Sequence, residues 1–154
     1  DQMAPLPLSM TSANGGSTVG LMEAGDTFSV TFSEALNPAT VVAANAKEAD
    51  PDGVGNDYLL IVGLTDSGMD LGFDDLIAPN AGSRVFAKST LTMLDLNKTV
   101  RSTLVDPCSG TSCGAYGVPV KADPITLTFV PEPYIRDTAG NPATGALTVT
   151  LTLY

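Results

Sequence analysis

Carboxylates are the one chemically capable group that this chain gathers in one place. Asp50, Asp52, Asn56 and Asp57 fall in the run Asp-Pro-Asp-Gly-Val-Gly-Asn-Asp, and Asp66, Asp70, Asp74 and Asp75 follow shortly after. Eight of the seventeen acids lie between Glu48 and Asp75, and no Lys or Arg occurs from Glu48 to Ser83. Oxygen donors at alternating positions with Gly between them suit a hard divalent cation, and calcium would relieve their mutual repulsion. The helix–loop–helix calcium pattern is not met, because Pro51 takes the first spacer and no Glu stands at the twelfth position. Two readings stand side by side: a calcium site completed by both clusters across a sheet, or a solvated acidic loop.

Two smaller features carry chemistry. Cys108 and Cys113 enclose Ser-Gly-Thr-Ser, a small polar loop that can close as a local disulfide and would then imply an oxidising, extracytoplasmic setting. Two free thiols are the alternative; zinc would need further Cys or His. So short a loop removes little chain entropy, so its role would be to stiffen a loop rather than hold the fold. Asn97-Lys98-Thr99 matches the glycan acceptor pattern, which also arises by chance.

No catalytic constellation accompanies these groups. His is absent, which removes the usual general base and the usual metal ligand. No nucleophile elbow, phosphate loop or dinucleotide loop is present, and Glu34 and Asp137 are isolated carboxylates in turns. The expectation is a protein that is not an enzyme. A net charge of −10 makes nucleic acid an unsuitable partner, since phosphate binding needs clustered Lys and Arg, and disfavours an anionic membrane surface for the same reason. No apolar run reaches 18 residues, so no membrane insertion is expected. A chain that opens on Asp1 rather than Met reads as a processed product or a cut piece.

The elements that must position these groups are strands. Charged residues make up 16% of the chain, below the usual quarter, while Thr (18) and Ser (11) take their place. Thr forms strands well and stays wettable, so hydroxyl-rich outer faces are expected. In Asp26–Ser33, Phe28, Val30 and Phe32 alternate with Thr27, Ser29, Thr31 and Ser33, the period of a half-buried strand. Ile125, Leu127 and Phe129 alternate with Thr126 and Thr128, and Leu147, Val149, Leu151 and Leu153 with Thr148, Thr150 and Thr152. Short strands are also expected at Thr18–Met22, Arg84–Ala87, Leu91–Leu94 and Thr99–Val105. Tyr58–Leu64 reads as a strand buried on both faces, and Ala39–Ala46 as a short helix or a strand. About eight to ten short strands with almost no helical periodicity indicate an all-β sandwich of antiparallel sheets.

Two stretches carry a resemblance. Gly25-Asp-Thr followed by the alternating strand, Phe-Ser-Glu and Asn37-Pro-Ala-Thr-Val41 is one; Asp137-Thr-Ala-Gly-Asn141 before the last strand is the other. Together they resemble the Ig-like domains repeated in bacterial and archaeal surface-layer and adhesin proteins. The resemblance implies an Ig-like β-sandwich with Greek-key-type sheets and a secreted structural or adhesive role. Such domains are usually shorter, and the excess here is mainly a long acidic loop insertion together with the cysteine loop. Independently of the resemblance, Asp137–Asn141 reads as a strand-entry turn, with Asp capping, Gly140 at positive φ and Asn141 ahead of Pro142.

The N-terminal residues complete the organisation. Leu6, Leu8 and Met10 alternate with Pro5, Pro7 and Ser9, and two prolines bar a helix or central strand but allow an edge strand. Asn14-Gly15-Gly16 sets this segment apart, giving an extended segment at 1–16 and a domain at 17–154. Such a tail can add as a strand to a neighbouring copy, the β-augmentation mode. The expected function is therefore a self-assembling subunit of an extracellular filament or surface layer, exported to the cell surface. Copies of itself would be its partners, through Leu6, Leu8 and Met10. The alternative is an adhesin or carbohydrate-binding module, with a glycan or cell-surface receptor as partner and Tyr58, Tyr116 and Tyr134 as stacking candidates.

Overall fold

A computed structural model of the chain describes residues 2–20, 23–41, 64–65, 86–107, 125–131 and 133–152. Among the described residues the fold is mostly β, with antiparallel sheets and almost no helix. Seven strands are described: β1 (Pro7–Ala13), β2 (Thr27–Phe32), β3 (Leu64–Thr65), β4 (Phe86–Leu94), β5 (Thr99–Pro107), β6 (Ile125–Phe129) and β7 (Leu147–Leu151). They form a four-stranded sheet in the order β1-β2-β5-β4 and a three-stranded sheet in the order β3-β6-β7.

Period-two alternation explains how the sheets face their core. Phe28, Val30 and Phe32 on β2 are buried, as are Val100 on β5 and Leu127 and Phe129 on β6. Register places Met10 opposite Val30, and Val30 opposite Val100, so one row of apolar side chains crosses three strands. The two sheets meet where the ring of Phe32 stands edge-on to that of Phe129, with centroids 5.9 Å apart and planes at 81°. On the opposite faces hydroxyls pair across strands. Thr31 bonds Thr99 at 2.9 Å, Thr126 bonds Thr150 at 3.1 Å and Thr128 bonds Thr148 at 3.0 Å. These pairs occupy the positions that charged residues fill in most sheets.

Several local expectations shift. The segment expected as a strand from Thr18 is a bend and turn through Gly20, for a reason given below. The two short strands expected at 84–87 and 91–94 are served by one long strand, β4, whose register slips near Lys88. Residues 38–41 are helical, so the start of the Ala39–Ala46 segment takes the helical alternative, and residues 42–46 lie outside the described residues. Asn37 caps this turn: its side-chain oxygen accepts the Ala39 N–H at 3.1 Å, and its carbonyl accepts the Thr40 N–H at 3.0 Å. Pro38 occupies the first helical position, where its missing N–H costs nothing. Of the strand expected at Tyr58–Leu64, only Leu64 lies within the described residues, paired with Phe129.

The Phe32–Phe129 contact sets a prediction. Replacing Phe129 by Ala removes a ring with about 1% exposure and opens a cavity between the sheets. The expected cost is about 3–5 kcal/mol, read as a fall in the urea midpoint with the slope unchanged.

Candidate functional site

The N-terminal segment sits in a seat built by both sheets. β1 runs antiparallel to β2, with Ser9 opposite Thr31, Met10 opposite Val30 and Ala13 opposite Thr27. Before the strand, Leu6 makes two bonds to one residue: its N–H donates to the Ser33 hydroxyl at 2.9 Å, and its carbonyl accepts the Ser33 N–H at 2.8 Å. On the other side, the Pro5 carbonyl accepts the Thr144 N–H at 3.0 Å, and the Ser12 hydroxyl donates to the Thr152 carbonyl at 3.1 Å. The segment thus bridges the edge of β2 and the residues that flank β7. Two of these four bonds join main-chain groups and two use a serine hydroxyl, beside the main-chain ladder with β2.

Three side chains were expected to form one alternating set, and the structure divides them. Met10 is 6% exposed and packs in the core row, whereas Leu6 and Leu8 are 45% and 57% exposed. Pro5 and Pro7 take the buried side instead. The cause is a register irregularity between Pro7 and Ser9, which inserts an extra residue and reverses the faces on either side of it. Pro7 opens the strand, where a residue without an N–H is tolerated. Within the segment, Pro7–Ala13 is seated beside β2 as the edge strand of the four-stranded sheet.

The turn after β1 holds a group that the sequence reading passed over. Asp26 is fully buried, and its carboxylate accepts three main-chain N–H groups. Gly15 and Gly16 donate to Oδ1 at 3.0 and 3.1 Å, and Glu23 donates to Oδ2 at 2.6 Å. Glu23 repeats the device, accepting the Thr18 N–H at 2.6 Å and the Ser17 hydroxyl at 3.1 Å. These bonds fold residues 15–20 around two carboxylates, which is why the chain turns where a strand was expected. Gly15 is required by close approach, since a Cβ there would collide with the Gly25 carbonyl oxygen. The one sequence signal was the pairing of Gly15-Gly16 with Gly25-Asp26, two small-residue steps that let backbone reach a carboxylate.

The two segments that carry the resemblance are joined to each other. Leu36 and Asp137 form an antiparallel bridge, and the Asn37 N–H donates to the Arg136 carbonyl at 2.8 Å. The Thr40 hydroxyl accepts the Arg136 N–H at 3.1 Å and donates to the Asn37 carbonyl at 2.8 Å. Within the second turn, Asp137 Oδ1 accepts the Asn141 N–H at 2.8 Å and Oδ2 accepts the Asn141 side-chain amide at 2.7 Å. Gly140 adopts φ +93°, and its carbonyl accepts an Arg136 guanidinium N–H at 2.7 Å. Burial by itself would raise the Asp137 pKa. The Asn141 side-chain amide, with the backbone N–H groups of Asn141, Ala139 and Gly140, outweighs it and holds the carboxyl below its ordinary value.

The other sequence candidates fall elsewhere. Asp50, Asp52, Asn56, Asp57, Asp66, Asp70, Asp74 and Asp75 lie outside the described residues, as do Cys108 and Cys113. Tyr58 and Tyr116 do as well, while Tyr134 stands in an exposed turn. Among the described residues no group of three or more His, Cys, Asp or Glu gathers in a metal-binding arrangement. No helix among them is long and apolar enough to cross a membrane. Comparison with known proteins finds no matching family model, no similar curated protein and no similar solved structure.

Two predictions follow from the carboxylate turns. Asp26→Ala removes a buried carboxylate and leaves three part-buried N–H groups without their acceptor, and is expected to cost about 2–4 kcal/mol, measured by chemical denaturation. Asp137→Asn meets an amide with an amide at Asn141 and is expected to lower Tm at neutral pH. Because the folded pKa is depressed, the native contribution is present above about pH 4 and is lost as pH falls through the folded value. The Tm difference between native protein and variant should therefore shrink below about pH 4; a pH-independent difference would contradict the assignment.

Proposed function

We propose that this protein is a structural subunit that assembles with copies of itself by exchange of its N-terminal strand, in an extracellular filament or surface layer. The single observation that carries this reading is the seat of β1. A terminal edge strand lies between β2 and the flanks of β7, held by main-chain hydrogen bonds and anchored at Met10. The N-terminal strand of another copy can supply the same bonds in the same register, the economical route by which identical chains exchange an element. Asn14, Gly15 and Gly16 are the hinge of that exchange, and the outward Leu6 and Leu8 travel with the donated strand. A heterologous contact of this kind, repeated from copy to copy, produces a linear polymer.

Two further features support the reading. The sheet orders β1-β2-β5-β4 and β3-β6-β7 coincide with the two-sheet order of constant-type immunoglobulin domains, so the finer fold we propose is an Ig-like β-sandwich. The hydroxyl pairs on the outer faces and the low charge content suit a domain whose faces pack beside other copies. We assign calcium no role in the described region; the acidic stretch retains that reading as a proposal of its own, tested by the effect of a chelator on Tm.

A covalent trap tests the exchange. Thr11 and Ser29 stand opposite each other across β1 and β2. With Cys108 and Cys113 replaced by Ser, a Thr11→Cys, Ser29→Cys variant can close a disulfide between the strands. Assembled material run on a denaturing, non-reducing gel should give a ladder of covalent oligomers that collapses on reduction. A monomer band alone, from material that is polymeric in micrographs, would sink the exchange.

A further inference from the structure

The turn between β4 and β5 carries the Asn97-Lys98-Thr99 acceptor pattern. Asp95, Leu96 and Asn97 all adopt left-handed backbone, with φ of 50°, 55° and 68°. The turn is pinned from within and from behind. The Lys98 N–H donates to the Asp95 carbonyl at 3.2 Å, the Thr99 hydroxyl donates to the Asp95 carboxylate at 2.8 Å, and the Asn97 carbonyl accepts the Leu36 N–H at 2.8 Å. The backbone of Asn97 is thus fixed by the tertiary structure, while the residue is half-buried and its carboxamide has no hydrogen-bond partner among the described residues. Beside it Leu96 is 90% exposed, an apolar side chain in a backbone region that costs a branched residue free energy. Asn97, Lys98 and Thr99 supply the Asn-x-Thr acceptor pattern at this apex.

We propose that Asn97 carries an N-linked oligosaccharide. The donor is a sugar chain linked through phosphate to a lipid. The Asn97 amide nitrogen forms a bond to the anomeric carbon, and the bond from that carbon to the phosphate oxygen breaks. Its electron pair leaves with the lipid phosphate, and one amide proton passes to solvent; nothing is oxidised or reduced. A glycan rooted at Asn97 lies over Leu96 and covers the one strongly exposed apolar residue of the turn, which a bare apex leaves in water. This inference rests on the proposed location outside the cytoplasm.

The test compares the native chain with Asn97→Gly. Glycine keeps the positive φ and the carbonyl that Leu36 uses, so this variant is expected to fold with an unchanged urea midpoint. Thr99→Ala is avoided because Thr99 is buried and its hydroxyl also holds Asp95 and Thr31. Protein is isolated from the source cells, separated into surface and interior fractions, and mapped by peptide mass. The expected result is a sugar mass on the peptide containing Asn97 in the surface fraction, absent from Asn97→Gly. An unmodified Asn97 peptide in surface protein overturns the glycan and leaves the assembly reading standing. Unmodified protein confined to the interior overturns both. A sugar mass that persists in full in Asn97→Gly also overturns the assignment.

Discussion

Phe32 is the residue on which the described structure converges. Its ring stands edge-on to Phe129 and joins the two sheets. Its N–H donates to the Lys98 carbonyl at 2.8 Å, tying β2 to the turn between β4 and β5. Its Cα is paired with Pro7, where the N-terminal strand begins. Three separate parts of the chain therefore take their position from one side chain and one peptide unit. Sheets with hydroxyl-covered outer faces have a single apolar side each, so burial against the other sheet is the one large favourable term open to them.

Asp26, Glu23 and Asp137 act as fastenings more than as charges. Asp26 gathers three N–H groups, Glu23 gathers an N–H and a hydroxyl, and Asp137 closes the turn onto Asn141. The cations are spent in a similar way on neutral oxygens: Lys98 on the Ser33 carbonyl, Arg101 on the Ser29 hydroxyl and Arg136 on the Gly140 carbonyl. A carboxylate accepting several main-chain N–H groups forms strong charge-assisted bonds and orders a loop without a partner of opposite charge. This use lets a chain with few basic residues keep well-defined turns. At Asp137 it also makes the turn sensitive to acid, because protonation removes the acceptor that the Asn141 groups are folded around.

How much of this was legible depends on the range of the interaction. The alternation in β2, β6 and β7 was plain, because side-chain period is a property of consecutive residues. The turn at Asp137–Asn141 and the break at Asn37-Pro38 were equally plain, since capping partners lie within four residues. The β1 faces were misread, because a bulge depends on how β1 meets β2 and leaves no mark in the alternation of Leu6, Leu8 and Met10. Asp26 was missed because its donors lie three to eleven residues away, and a lone acid before a strand looks like surface.

The amino-acid sequence by itself determined which residues alternate, where the chain must turn, and that hydroxyls would stand where charges usually do. Those properties follow from backbone sterics and neighbour spacing, which act within a few residues. Only the tertiary structure decided that the two signature segments clasp one another through Leu36–Asp137 and Asn37–Arg136, and that β1 lies between β2 and the flanks of β7. Those outcomes depend on groups up to 140 residues apart coming within hydrogen-bond distance. Main-chain donors and acceptors are the same at every residue, so sequence cannot mark them as partners; packing at Phe32 and Phe129 brings them together.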